Sequence, residues 1–279
     1  MIETQHHGNI FCAEMQPHHE STILSCAADG ALCMTDLNTP NHTSKTLMTT
    51  SALMHMFIYD ITQPDIVYTA EECGNISRID LRIPTTGSGS SGIETIYKDK
   101  RGQKVYPIKA LAQNEYLGEY YILVGGAGFN IHMYDIRLLS LSHTNSSNSN
   151  TYTKPSDHAV KIFSPYGRSS YLYGHSWFNS GSSIYGDGVA NSTGDISVSG
   201  LQISRDGRTI LASYQGDQIY TYDIHDNIKQ QYTTNTKNSI GKSYTSSSNN
   251  NKSIGVKGVY GGHFNYQTFL KTVSFFGPK

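Results

Sequence analysis

The stretches GNISRIDLR (74–82) and FNIHMYDIR (129–137) decide the fold. Each alternates apolar with polar residues and then stops at Asp-x-Arg: Asp80-Leu81-Arg82 in one, Asp135-Ile136-Arg137 in the other. Alternation with a period of two sends every second side chain to one face of an extended chain, and predicts a strand with one face buried. The same ending returns without the arginine in CMTDL (33–37) and IYTYDI (219–224). A strand–Asp–apolar ending at Asp36, Asp80, Asp135 and Asp223 marks a repeat. It argues against a single-site enzyme and against a helical domain.

Working outward from these endings gives units of four strands. Unit one reads as strands at 10–15, 22–28, 31–37 and 45–50, and unit two at 52–59, 66–71, 76–82 and 93–97. Unit three reads as strands at 106–113, 120–126, 130–137 and 159–165. Unit four offers three, at 196–204, 209–215 and 218–224, and a fifth unit begins near Tyr260. As blade-like units these span 6–50, 51–98, 105–165, 196–224 and 258–279. Asp29-Gly30 signals a two-residue hairpin, because both positions can take positive φ.

Asp36 and Asp80 are 44 residues apart, inside the roughly 40–45-residue period of a propeller blade. The later spacings, 55 and 88 residues, need inserts. Segments rich in Ser, Asn, Gly and Thr supply them at 84–92, 140–157, 176–195 and 225–256. Such segments bury too little apolar area to offset chain entropy, so disorder or loose loops are expected there. Pro17, Pro64, Pro84 and Pro155 fall in connections rather than strand interiors. About fifteen strands exceed the roughly seven of a sandwich, so the expected class is all-β, a β-propeller.

Composition narrows the functions. The 279 residues carry 21 basic and 22 acidic side chains, a net charge of −1. No strong field draws this chain to nucleic acid or to an anionic membrane. Mean hydropathy is −0.42, and no apolar run reaches the length of about 18 residues that a spanning helix needs. The start, MIETQHHGNIF, lacks the basic and then apolar pattern of a secretory signal. Cys12, Cys26, Cys33 and Cys73 form no CxxC pair and read as thiols in a reducing compartment.

Residues that invite chemistry have plainer readings. His6-His7 and His18-His19 are adjacent pairs, which in a strand point to opposite faces and do not chelate one ion, so no metal is expected. Gly125-Gly126-Ala127-Gly128 lacks the Lys-Ser/Thr of a phosphate loop and reads as a hairpin turn. There is no Gly-x-Ser-x-Gly elbow and no catalytic carboxylate pair. No catalytic residue and no cofactor is expected. The 20 tyrosines suit a protein-recognition face and strand packing equally.

Gly262-His263 resembles the glycine–histidine that opens a WD repeat. Asp36, Asp80, Asp135 and Asp223 stand where the aspartate of its closing Trp-Asp stands, with Thr35, Ile79, Tyr134 and Tyr222 in place of tryptophan. A longer ordered series is similar to the WD-repeat substrate receptors associated with cullin-4 ubiquitin ligases. It runs through HHGNIFCAEMQPHHESTILSCAADGAL (6–32), NISRIDLR (75–82), YYILVGGAGFNIHMYDIRLL (120–139) and VKIFSPY (160–166). It continues through QISRDGRTILASYQGDQIYTYDI (202–224) to GGHFNYQTFLKTVSFFGPK (261–279), covers more than half of the chain and fails in the inserts.

The resemblance implies a seven-bladed WD-repeat propeller, of which this chain holds about four to four and a half blades, starting near the second. It implies docking to the ligase adaptor, the damaged-DNA-binding protein, through Asp-x-Arg on consecutive blades. The adaptor-binding residues are then Arg82 and Arg137, preceded by Asp80 and Asp135. Arginine suits this, with five donors in a rigid fork that matches acidic groups. The resemblance also implies a structural bond from an opening histidine to a turn aspartate: His6 with Asp29, and His263 with a partner outside the chain. The implied partners are the adaptor and protein substrates, with no direct nucleic acid and no membrane, in nucleus or cytoplasm.

Alternatives stay open at this level. Asp-x-Arg also fits a strand-end turn with a solvated arginine. The chain also fits a WD-repeat scaffold with no ligase attached. An enzyme on a propeller needs carboxylates or histidines converging on the central channel, a pattern the sequence does not display.

Overall fold

The computed structural model describes residues 2–39, 41–84, 92–101, 104–139, 158–165, 196–225, 253–262 and 272–276. Among them, strands build four large sheets. Sheet one is β1 (Ile10–Gln16), β2 (His19–Ala27), β3 (Ala31–Asp36) and β4 (Ser44–Thr49). Sheet two is β5 (Met54–Tyr59), β6 (Ile66–Glu71), β7 (Asn75–Asp80) and β8 (Ile93–Lys98). A short ribbon follows, β9 (Lys100–Arg101) with β10 (Lys104–Val105).

Sheet three is β11 (Ile108–Ala112), β12 (Tyr121–Gly126), β13 (Ile131–Asp135) and β14 (Lys161–Phe163). Sheet four is β15 (Ser197–Ile203), β16 (Thr209–Gln215) and β17 (Ile219–Asp223), closed by a strand from further along the chain. That late segment makes two strands. β18 (Ser253–Ile254) adds to β14 in parallel, and β19 (Val256–Tyr260) pairs antiparallel with β17.

Within each sheet consecutive strands pair antiparallel, the cheapest connection for short strands. The first strands come together in chain order: β1 lies against β5, β5 against β11, and β11 against β15. Sheets stacked face to face with their first strands innermost form blades of a β-propeller. The fold is all-β, and the described part is four blades. A single helical turn at 136–139 follows β13. No helix among the described residues is long and apolar enough to cross a membrane.

Each seam between sheets holds its own core. Leu24, Leu32, Met54, Phe57, Val67 and Ile79 fill the seam of sheets one and two. Ile76, Ile96, Leu111, Ile122 and Tyr134 fill the next. Ile131, Phe163, Val198, Ile210 and Tyr222 fill the third. A sheet between two others is covered on both faces, so all six residues of β6 are buried. The half-buried strand expected from the alternation in 74–82 and 129–137 is therefore corrected for sheets two and three. Polar positions such as Ser77 are buried too, and they hold hydrogen bonds rather than face water.

Two further expectations change. The Asp29-Gly30 hairpin is a type of three-residue loop: Gly30 N donates to Ala27 O at 3.1 Å, and only Gly30 is left-handed, at φ 75°. Gly74 repeats it with a bond to Glu71 O at 2.9 Å and φ 76°. This loop needs one left-handed residue, so Asp29 keeps an ordinary backbone and its carboxylate stays available. Unit four, three strands by sequence, gains β19, and so the unit expected over 258–279 gives its first residues to sheet four. The outer edge of β17 has backbone groups to satisfy, and the returning chain satisfies them. The remaining inserts lie largely outside the described residues.

Gly125 and Gly126 end a strand rather than form the turn expected of 125–128. A Cβ on Gly126 would sit 2.0 Å from the Pro107 carbonyl oxygen, and one on Gly125 would sit 2.6 Å from a Val198 methyl. The two glycines let β12 lie close to β11 and to sheet four.

Candidate functional site

The four aspartates occupy one position four times over. Asp36, Asp80, Asp135 and Asp223 each end the third strand of a sheet, opposite Thr22 within β2 and opposite Ile66, Tyr121 and Thr209 at the start of β6, β12 and β16. In each, the backbone amide two residues on donates to the aspartate Oδ1: from Asn38 at 2.9 Å, and from Arg82, Arg137 and His225 at 3.0 Å. The intervening amides also agree: Leu37, Leu81, Ile136 and Ile224 donate at 2.7–2.8 Å to the carbonyls of Ser21, Asp65, Tyr120 and Arg208. Aspartate at a strand end caps the exit turn with its own side chain.

Only two of these turns carry arginine. Arg82 donates from Nε to Asp80 Oδ1 at 2.9 Å and from Nη2 to Oδ2 at 2.7 Å. Arg137 does the same to Asp135, at 3.0 and 2.6 Å. Both arginine side chains are 58% exposed, while the two aspartates are nearly buried. The carboxylate thus receives three charge-assisted or amide bonds, and three of the five guanidinium donors are not engaged by it. The Arg137 guanidinium also lies 4.0 Å above the Tyr120 ring, a cation–π contact. Because consecutive sheets share one strand order, both arginines come to the same end of the propeller.

The electrostatics follow from the geometry. Hydrogen bonds from the Arg82 side chain, against the opposing effect of burial, hold Asp80 at about 2, well below its ordinary 3.8. Arg137 lowers Asp135 in the same way. The reciprocal bonds raise both arginines above their usual range. Each pair is a fixed, fully ionised dipole with its cationic end outward.

The structure also brings His6 and Asp29 together. The His6 Nδ1 is 3.3 Å from both Asp29 oxygens, and its Nε2 is 2.9 Å from Ser25 Oγ. The amides of His7 and Ala31 donate to Asp29 at 2.7 and 3.0 Å. Burial works against ionisation of Asp29, yet those amides and the His6 ring outweigh it and hold its carboxyl below the usual range. A Ser–His–Asp chain has the connectivity of a hydrolytic triad. Here Ser25 is 2% exposed and the His6 side chain likewise, so no substrate reaches the hydroxyl. The chain of bonds ties the segment before β1 to β2 and its turn. His263, expected to play the same part, lies outside the described residues.

Sequence reading missed the counterpart in sheet two. By register with the closing aspartates, Thr69 corresponds to Ser25, Ser77 to Cys33 and Cys73 to Asp29. Glu71, fully buried, fills the space between them. It accepts from Thr69 Oγ1 at 2.9 Å, Ser77 Oγ at 2.7 Å and Cys73 Sγ at 3.2 Å. A carboxylate from the second strand here joins the second strand, its turn and the third strand, where in sheet one a histidine from before β1 holds the matching space. The signal was present: a Glu that still belongs to the strand at the end of the run IVYTAE, ahead of the turn.

A hollow of about 490 Å³ lies elsewhere, on the outer face of sheet four, between Leu211, Ile219, Tyr260 and the segment Val273–Phe276. It holds none of the paired aspartates and arginines.

No family model matches this chain, and no curated protein matches it in sequence. Among solved structures it is similar to the crystal structure of the Cps50 (Swd1) β-propeller domain of Myceliophteria thermophila. The two are 11% identical with a TM-score of 0.47, over 77% of this chain and 52% of that one. The chain thus spans about half the length of that domain.

Proposed function

We propose that this chain is a protein-interaction module, and that its finer role is that of a substrate receptor for a cullin-4 ubiquitin ligase. Arg82 and Arg137 would dock the adaptor, the damaged-DNA-binding protein, and another surface would hold the protein substrate. Such a receptor makes and breaks no bonds. It raises the effective concentration of substrate beside the ligase's catalytic arm. One observation supports this reading above the rest: the same exposed, outward-facing Asp–Arg fork stands at the same place on two consecutive sheets. A pair of forks one blade apart offers a partner two fixed cationic points, and a docking protein with acidic groups at that spacing gains specificity as well as affinity. This role places the protein in nucleus or cytoplasm.

A second reading is a scaffold without a ligase. It is favoured by the completeness of each turn: the arginine already satisfies its own aspartate, a structural task that needs no partner.

Affinity purification of the chain beside Arg82→Glu/Arg137→Glu, with mass spectrometry of what co-purifies, separates the two. Circular dichroism checks first that the variant is folded. Adaptor and cullin-4 present with wild type and lost from a folded variant support the receptor. Their retention by the variant overturns the role of the two arginines. Their absence from folded wild type leaves the scaffold.

A further inference from the structure

Two of the four cysteines face each other. Cys12 on β1 is the direct register partner of Cys26 on β2. Both side chains enter the seam between sheets one and two, Cys26 fully buried and Cys12 partly so. Directly opposed residues of an antiparallel pair have Cα atoms about 4.5–5.5 Å apart. A disulfide accepts a Cα separation of about 4.4–6.8 Å. The backbone therefore already satisfies the demand that most cysteine pairs fail.

The other two cysteines are held apart from this pair. Cys33 lies opposite Ser25, one residue away from Cys26, and so its side chain leaves the other face of the sheet. Its sulfur is 3.6 Å from Thr46 Oγ1 and 3.9 Å from His6 Nδ1. Cys73 belongs to sheet two and donates to Glu71.

We propose that Cys12 and Cys26 are a modification site, oxidised by peroxide to a reversible cross-strand disulfide that staples β1 to β2. Among the described residues β1 has no strand on its other side, so the staple fastens an edge strand, held by backbone hydrogen bonds on one side only. The proposal is independent of the reading given to the arginines.

The step balances. The Cys12 thiolate attacks a peroxide oxygen, the O–O bond breaks, and hydroxide leaves with a proton to become water. The resulting sulfenic acid is attacked by the Cys26 sulfur, an S–S bond forms, and a second water leaves with the Cys26 proton. Two thiols lose two electrons and one peroxide gains them. The surroundings favour Cys12 as the attacking sulfur. A hydrogen bond from Cys26 lowers its pKa, against burial and the Glu14 charge, with help from the Phe57 backbone. Beside it the buried Tyr59 hydroxyl has no hydrogen-bond partner among the described residues; burial raises its pKa, so it can offer the sulfur a hydrogen bond but does not release its proton.

The test uses the intact chain and hydrogen peroxide. Oxidised protein is unfolded in N-ethylmaleimide and digested, without reduction, after Asp and Glu. That cleavage places Cys12 in 4–14, Cys26 in 21–29 and Cys33 in 30–36. The expected product is a linked 4–14/21–29 pair, lighter by two hydrogens than the separate peptides, abolished by phosphine reduction and absent from Cys12→Ser. Cys12 as sulfinic acid with Cys26 capped by maleimide overturns the proposal. So does linkage of Cys12 to Cys33 or Cys73 in comparable yield. If Cys12→Ser does not fold, wild type oxidised in denaturant is the reference. A Cys12–Cys26 share no higher in native than in denatured protein overturns the proposal equally.

Discussion

The hydroxyls of Tyr97 and Tyr134 meet at 3.2 Å across the seam between sheets two and three, with ring centroids 5.2 Å apart. Tyr97 comes from the outer strand of one sheet and Tyr134 from the third strand of the next. Tyr134 directly precedes Asp135, the aspartate that ends β13. Its ring lies in the seam core and its hydroxyl adds a bond between blades. Tyr222, the matching residue of sheet four, instead pairs with Tyr214 of its own sheet at 2.9 Å.

Tyr134→Phe should therefore cost about 1 kcal/mol, the net worth of one buried hydrogen bond, with little change in packing. Urea unfolding at neutral pH measures it. A loss as large as that of a truncated core aromatic would mean that the ring, not the hydroxyl, had moved.

The Asp–Arg pairs predict an acid signature. Asp80 is held at about 2 against an ordinary 3.8, and Asp135 is lowered too. A depressed carboxylate contributes stability that is fully present above the ordinary value and is lost as pH falls through the folded one. Arg82→Ala/Arg137→Ala should lower the urea midpoint by a small amount at neutral pH, since exposed arginines are screened by solvent. The gap from wild type should close as pH falls toward 2. A gap independent of pH would show that the arginines act by packing alone.

His6→Ala removes a buried ring bonded to Ser25 and Asp29, and should cost about 3 kcal/mol through lost packing and two disrupted bonds. Glu71→Gln tests the counterpart in sheet two. It keeps the shape but puts an amide donor among three hydrogen-bond donors, so a loss of about 1–3 kcal/mol is expected. Both are read as shifts in urea midpoint. A neutral Glu71→Gln would remove the equivalence drawn between the two sites.

Gly126→Ala should destabilise by about 3 kcal/mol, because the added methyl meets a backbone oxygen that has no rotamer to yield. Thermal unfolding reports it. A neutral result would mean that β11 and β12 lie further apart than described.

The residues themselves fixed the class of this protein. Period-two runs ending in Asp36, Asp80, Asp135 and Asp223 were enough to place four sets of strands, because strand formation and a capping aspartate are local matters. The paired Asp-x-Arg endings were equally legible, although not that each arginine would fold back on its own aspartate. Other features depend on which strand lies beside which, across gaps of tens of residues. Glu71 reaching into the site that His6 holds in sheet one, β19 returning to close sheet four, and Cys12 standing opposite Cys26 are all of this kind. Register and the stacking of sheets decide them, since a shift of one residue in pairing sends every side chain of a strand to the other face.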